Sequence, residues 1–351
     1  MDTDAGVGKD RPAQSGARSA DRSLMRLAAE LYYVRGWSQA EISRLLRVSI
    51  STVSRLLAQA RAEGIVQITV ERDPSELIPL ATELADALSV RVTLTPGRTS
   101  NPAVAARVCA VAAAPAVADE VPTSGVLGTA GGYTIAALAE ALPRMDRPEL
   151  TVVPIAGGLH ASVPPLLDIN GVTDRIAAQL GASTRRLLAP GLLDSLAMKE
   201  ALLEDSLVKV TTELWSRLDC VLVGVSGMPE SNPGYPTVMD QLDGDIRRRL
   251  IAKGVVGEIA GHPFTIDGSL IEDDWASRLL CISFDVLRRS GPVIVVAAGS
   301  HKAQSIIGCV RTGVVGHLYT DELTAAAIME WLGAHGQHRG ATSASAPTKV
   351  G

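Results

Sequence analysis

The sequence predicts an α/β protein in two parts: a small helical, winged-helix-like head, then a doubly wound, mainly parallel α/β body. Three observations carry that prediction. The chain has 351 residues, more than one small core organises and enough for two. Between residues 23 and 64 the apolar positions recur at helical spacing in three short runs. Beyond residue 90, short β-branched runs alternate with helical stretches, as in a parallel sheet covered on both faces.

Residues 1–20 and 336–351 are rich in Gly, Ser, Ala and Pro and poor in large apolar groups, so both are expected to be disordered tails. That leaves a head over 21–72 and a body over 73–335. In the head, Leu24, Leu27, Ala28, Leu31 and Val34 predict a helix from Ser23 to Arg35, which Gly36 ends. A second helix starts at Ser38, whose spacing to Glu41 makes the capping box S-x-x-E, and buries Ile42 and Leu46. The third takes Ser49 as its N-cap, buries Val53, Leu56, Leu57 and Ala60, and stops at Gly64. IVQITV (65–70) alternates as a strand does.

The body opens with a helix near 75–88. The strand runs that follow are VRVTL (90–94), GVLG (125–128), LTVVPI (150–155), CVLVGV (220–225), VVGEI (255–259), VIVVAA (293–298) and VGHLYT (315–320). No internal repeat is present.

Composition removes several classes of protein. No apolar run reaches the roughly 18 residues of a membrane helix and the N-terminus lacks a signal-peptide core, so the expected location is the cytoplasm. Cys109, Cys220, Cys281 and Cys309 lie far apart and read as reduced core residues, and His160, His262 and His301 have no metal-ligand spacing; neither a metal nor a cofactor is expected. The net charge of −5 hides an asymmetry: eight arginines and four carboxylates between Arg18 and Glu63 give +4, which leaves −9 for the rest. A basic end on an acidic body suits a local anionic partner, although a charge run is usually just a solvated face.

The stretch VSISTVSRLL (48–57) gives that partner a chemistry. Its Val53, Leu56 and Leu57 face the other helices and leave Ser49, Ile50, Ser51, Thr52, Ser54 and Arg55 on the outer or N-terminal side. Helical N–H groups and short hydroxyls meet phosphates, and arginine meets guanine or phosphate, so this is the design of a helix-turn-helix reading double-stranded DNA. The plain alternative is a helical subdomain with a polar surface.

RGWSQAEISRLLRVSISTVSRLLAQARAEGIVQITV resembles the N-terminal helix-turn-helix of the SorC family of sugar-responsive bacterial transcriptional regulators. V-S-R-L-L and A-R-A-E-G-I-V are the closest matches. Two residues depart from the pattern: Ser43 stands where alanine is common, and Arg47 stands at the turn where glycine is common. The resemblance covers about residues 24–333.

In the body, VLGTAGGYTIAALAEAL (126–142) reads as strand, Gly-rich turn and helix. N–H groups at Gly131, Gly132, Tyr133 and Thr134 would converge at the helix start, where the dipole and the Thr134 hydroxyl favour a phosphate. A Gly-rich turn alone is more often only a tight turn, and the spacing fits neither Walker A nor G-x-G-x-x-G. The resemblance implies a phosphate cradle built from Gly128, Gly132 and Thr134, with Gly131 where an aromatic is frequent.

Gly157 and Gly158 end a strand where ligands approach open α/β sheets, or merely cap it. Glu258 and Asp267 offer carboxylates to sugar hydroxyls, though Asp267 in I-D-G also reads as a turn residue. Lys302 opens a helix after a strand and suits a phosphate as a point charge, or is a surface lysine. Asp168 and Asn170, before a helix over Val172–Leu180, are further candidates for sugar contacts. The resemblance implies that Glu258 and Lys302 hold the effector.

The expected protein is a non-enzymatic regulator, a homo-dimer or homo-tetramer, whose operator affinity is controlled by a sugar or sugar-phosphate effector. The rival is a sugar-phosphate isomerase or deaminase-like enzyme on the same fold, with Glu258 or Asp267 as base.

Overall fold

The computed structural model describes residues 22–63, 65–66, 74–158, 167–228, 242 and 244–336, and divides into two compact units, Met1–Val70 and Glu71–Gly351. The expected wing strand beyond residue 66, the division after residue 72, His160 and both tails lie outside the described residues, except that Gly336 ends a helix.

The described residues of the head form three helices. The first, α1, runs over 22–29 and continues as one π-helical turn, Glu30–Val34, before Gly36 at φ +71° ends it. Helix α2 (Gln39–Leu46) opens with the capping box, Ser38 accepting from the Glu41 N–H at 3.3 Å while Glu41 accepts from the Ser38 N–H at 2.8 Å. Helix α3 (Ile50–Ala62) opens on Ser49, which accepts from the Thr52 N–H at 3.1 Å. Their shared core contains Met25, Ala28, Leu31, Ile42, Val53, Leu56, Leu57 and Ala60, all buried.

Both departures from the pattern fall at the turn between α2 and α3. Arg47 adopts the left-handed conformation, φ +54° and ψ +41°, at the position where glycine is common. Ser43 helps to hold that turn, its hydroxyl donating to the Val48 carbonyl at 2.6 Å. A side chain in this region costs roughly 1 kcal/mol. The change Arg47→Gly is therefore expected to stabilise the head by about 0.5–1 kcal/mol, since glycine adopts this turn without the Cβ penalty. Denaturant unfolding of the full chain checks this, and a midpoint that stays put or falls contradicts it.

The body begins with a 3₁₀ turn, Pro74–Leu77, and helix α4 (Ile78–Leu88). It continues through β1 (Arg91–Thr95), α5 (Pro102–Glu120), β2 (Gly125–Thr129), α6 (Tyr133–Ala141), β3 (Leu150–Pro154), α7 (Ile169–Leu180), β4 (Ser183–Thr184), α8 (Leu196–Glu204), α9 (Ser206–Thr212), β5 (Cys220–Val223) and β6 (Ser226–Gly227). After these come α10 (Gly244–Ala252), β7 (Val255–Ile259), β8 (His262–Thr265), α11 (Asp274–Ser277), α12 (Phe284–Arg289), β9 (Val293–Val296), α13 (Ala303–Arg311), β10 (Val315–Asp321) and α14 (Glu322–Gly336). Among the described residues, seven strands form one parallel sheet in the order β1-β10-β9-β5-β2-β3-β4.

Side-chain alternation sends successive strand residues to opposite faces of that sheet. Val221, Val223, Val293 and Val295 enter one core, while Cys220, Leu222, Ile294 and Val296 enter the other. The three cysteines Cys109, Cys220 and Cys309 are buried and unpaired, and burial pushes the Cys109 and Cys220 thiols up to about 12.

Two expectations need correction. VVGEI is not a strand of the parallel sheet: β7 lies in a separate three-stranded antiparallel sheet, β6-β7-β8. A two-residue turn, Ala260 at φ +51° and Gly261 at φ +86°, folds β7 back onto β8 as in a tight hairpin and prevents a helical crossover. The second correction concerns membrane length. Helix α5 spans 19 residues with a mean hydropathy of 1.4, long and apolar enough to cross a bilayer. Its Ala105, Cys109, Ala110, Ala113, Ala114 and Val117 are buried in the body, and Arg147 donates to the carbonyls of Ala118 and Val121 near its C-terminal end. It is a core helix.

Candidate functional site

In the sheet order, β2, β3 and β4 progress one way and β5, β9 and β10 the other, so the winding reverses between β2 and β5. Ligands of open α/β sheets bind outside the carboxyl ends of the strands at such a reversal. A cavity occupies that position, bordered by Ala130–Ile135 after β2 and by Gly224, Val225 and Ser226 after β5. It brings together Gly131, Gly132, Tyr133, Thr134, Gly157, Glu258 and Lys302 from the expected set.

Gly132 is the N-cap of α6 at φ +96°, a conformation that excludes most side chains. With no side chain to cap the helix, it leaves the first-turn N–H groups of Thr134 and Ile135 at the cavity, at the positive end of the dipole. The convergence of N–H groups is narrower than the sequence suggests, because the Gly132 N–H donates to the Leu167 carbonyl at 3.2 Å. A Cβ on Gly131 would lie 3.2 Å from the Ile169 Cα and the Leu167 carbonyl oxygen, so backbone occupies the room that a larger residue would need.

Glu258 lies in β7 opposite Ser226 of β6 and is buried at 7 % exposure. Desolvation holds its carboxyl above the usual range, against hydrogen bonds from Ser226 and the Gly261 N–H and the attraction of Lys302. Lys302 precedes α13 in a 3₁₀ turn, Ser300–Lys302, and is 9 % exposed. Burial lowers its ammonium to about 8 from the usual 10.5, with Glu258 opposing the shift. The ammonium has three N–H donors and gives one to the Val225 carbonyl at 3.1 Å. A buried cation that borders the same cavity as a helix N-terminus suits an anion.

The other expected residues stand outside the lining. Gly128 is in mid-strand, where a Cβ would come within 2.7 Å of Ile155 Cγ2, so its role is close packing. The Gly158 N–H is spent on the Ala189 carbonyl at 2.9 Å, and that of the lining residue Gly157 on the Leu280 carbonyl at 2.8 Å. Asp168 is the N-cap of α7, accepting from the N–H groups of Asn170 and Gly171. Asn170 exchanges two hydrogen bonds with the Leu187 backbone, at 2.9 and 3.1 Å. Asp267 is exposed in a turn, bonded to Thr265 and Ser269. Each of these polar side chains is engaged by its own neighbourhood.

Several lining residues carried no motif: Pro102, Ala106, Gly191, Ser226, Leu279, Cys281 and His301. Irregular bridges such as Ala156 to Cys281 and Leu192 to Leu279 bring the 279–281 segment in, and local spacing does not reveal them. Ser226 was within reach of the rule that ligands gather beyond strand ends, since CVLVGV points directly at it.

In the head, Ser49, Ile50, Ser51, Ser54 and Arg55 are exposed and Thr52 is half-buried. The Ser49 hydroxyl lies 2.8 Å from both the Ser51 and Thr52 hydroxyls, a small hydroxyl cluster at the start of α3.

A helix-turn-helix head and an α/β body with a cavity at its switch point define a ligand-responsive DNA-binding regulator. Residues 73–330 match the Sugar-bind family of sugar-binding domains, and residues 26–63 match region 4 of sigma-70. The chain belongs to the SorC family of sugar-binding transcriptional regulators. It is 27 % identical over 318 residues to the sorbitol operon regulator of Klebsiella pneumoniae, covering 89 % of this chain and 99 % of that one. It is also 27 % identical to the erythritol catabolism regulatory protein EryD of Brucella abortus over 315 residues, 88 % of this chain and 97 % of EryD. The crystal structure of full-length SorC from Klebsiella pneumoniae superposes with a TM-score of 0.69 at 26 % identity, over 88 % of this chain and 99 % of that one.

Proposed function

We propose that this protein binds operator DNA through α3 and that a sugar or sugar phosphate held in the body's cavity sets its operator affinity. The reading is supported above all by one juxtaposition: Thr134 at the start of α6, the buried Lys302 ammonium and the buried Glu258 carboxyl border a single cavity at the switch point. The phosphate meets Lys302, the Thr134 hydroxyl and the first-turn N–H groups of α6, and Glu258 accepts from sugar hydroxyls. In the head, Arg55 reads a base or phosphate while Ser49, Ser51, Thr52 and Ser54 hold the helix on the backbone. The protein works in the cytoplasm as two or four copies, so that paired heads span successive half-sites. It is a sensor and turns nothing over.

Titration at two pH values tests the phosphate contact. The Lys302 ammonium at about 8 is mostly charged at pH 7 and mostly neutral at pH 9. A phosphate monoester stays largely dianionic over that range. The affinity of glucose 6-phosphate, ribose 5-phosphate or sorbitol 6-phosphate, whichever binds, is expected to fall about tenfold between pH 7 and pH 9. An affinity that does not change, measured by calorimetry, removes Lys302 from the anion site.

A further inference from the structure

His301, beside the anion-binding lysine, has a placement that the phosphate contact leaves unused. His301 borders the switch-point cavity and also a second cavity, lined in part by Val255, Val256, Gln304, Ala327 and Trp331. Among the described residues it alone borders both. Its Nε2 is buried and has no hydrogen-bond partner among the described residues. Buried polar atoms in folded proteins are nearly always paired, so an orphan at the wall of a ligand cavity calls for a partner from outside the chain.

The ring packs against an anchored loop. Gly299 sits at φ +111°, and a Cβ there would come within 2.5 Å of His301 Cε1 and 2.8 Å of Nδ1, so the imidazole lies against the glycine backbone. The Gly299 N–H is fixed in turn by Asp321 Oδ2 at 3.2 Å and by the Thr324 hydroxyl at 2.7 Å. Asp321 also accepts from the Thr324 N–H at 2.8 Å, which ties the loop to the start of α14. A polar atom carried next to an anchored loop discriminates between ligands better than one on a mobile segment.

Its chemistry selects the partner. Burial and the neighbouring Lys302 charge hold the imidazole down at about 4, so it is neutral at physiological pH. A neutral imidazole brings no charge to a phosphate, and according to tautomer its Nε2 donates to or accepts from a hydroxyl, which can do either in return.

We propose that His301 is a specificity-determining residue of the effector site: its Nε2 exchanges a hydrogen bond with a hydroxyl of the bound sugar or polyol while Lys302 takes the phosphate. This rests on the effector reading given above. It divides the cavity's recognition into an anionic end and a hydroxyl end on adjacent residues of one short turn.

Calorimetric titration of the full chain with sorbitol 6-phosphate, glucose 6-phosphate and inorganic phosphate tests it. In His301→Phe the affinity for whichever sugar phosphate the unaltered protein binds should fall about tenfold or more, with inorganic phosphate unchanged. His301→Gln, which places an amide near the position of Nε2, should recover most of the loss. His301→Asn retracts the polar atoms from that position; it should behave as Phe does and carries the test if the Phe variant fails to fold. A sugar-phosphate affinity unchanged by Phe and Asn overturns the assignment, as does an equal loss for inorganic phosphate. If the unaltered protein binds none of these probes nor ribose 5-phosphate, or Lys302→Met leaves binding intact, the effector reading itself fails and takes this one with it.

Discussion

Lys302→Met is expected to abolish the response to a phosphate-bearing effector and, at the same time, to stabilise the empty protein. The two effects share one cause. A lysine whose folded value is lowered to about 8 costs folding free energy wherever both folded and unfolded chains carry the charge. That cost is fully present below pH 8 and disappears as pH rises from about 8 towards 10.5, where the unfolded chain still holds its proton and the folded one does not. Methionine keeps the apolar stem without the charge, so at pH 7 the variant should be more stable by on the order of 2 kcal/mol. Its affinity for a sugar phosphate should fall by about a hundredfold, as expected when a buried charged hydrogen-bond partner is removed from an anion. Thermal unfolding and calorimetry read the two effects separately. A lysine with a purely structural role gives the opposite pattern, lower stability with binding retained.

Arg55→Ala should weaken operator binding by about tenfold to a hundredfold while leaving the unfolding of the body unchanged. Arg55 is exposed on α3, and its removal takes nothing from the head core formed by Val53, Leu56 and Leu57. A base contact and a phosphate contact separate on salt dependence. Loss of a phosphate contact lowers the salt slope by about one and weakens all sequences alike, whereas loss of a base contact relaxes specificity at one position. Operator affinity that is unaltered in a gel-shift series removes Arg55 from the reading surface.

The head was legible because its signals are local. Ser38 with Glu41, Ser49 ahead of α3 and the spacing of Val53, Leu56, Leu57 and Ala60 each act within one or two helical turns, and all reappear in the structure. The π-helical turn at Glu30–Val34 was not legible, since its residues follow ordinary helical spacing. Six of the seven strand runs joined the parallel sheet. VVGEI departed because the Ala260-Gly261 turn and the short β6 give it antiparallel partners, a tertiary choice that hydrophobic pattern does not encode.

At the cavity, the residues that sequence identified are those beside a strand end or a helix start: Gly131 to Thr134, Gly157, Glu258 and Lys302. Asp168, Asn170 and Asp267 were chosen as polar residues near such ends, and each proved to be bound to its own backbone or turn. Polarity near a strand end does not show which way a side chain faces. His301 was passed over because histidines were weighed only as metal ligands, while its place on the wall depends on the positive φ of Gly299 and the anchor at Asp321.

The central claim is that an anion held at the sheet's switch point changes how tightly the head holds DNA. Fluorescence anisotropy on a labelled operator, with and without saturating sugar phosphate, tests it most directly. The account predicts an operator Kd that shifts about fivefold or more with ligand in the unaltered protein and by nothing in Lys302→Met. An operator affinity that stays the same when the cavity is filled, in a protein shown by calorimetry to have bound its ligand, contradicts it.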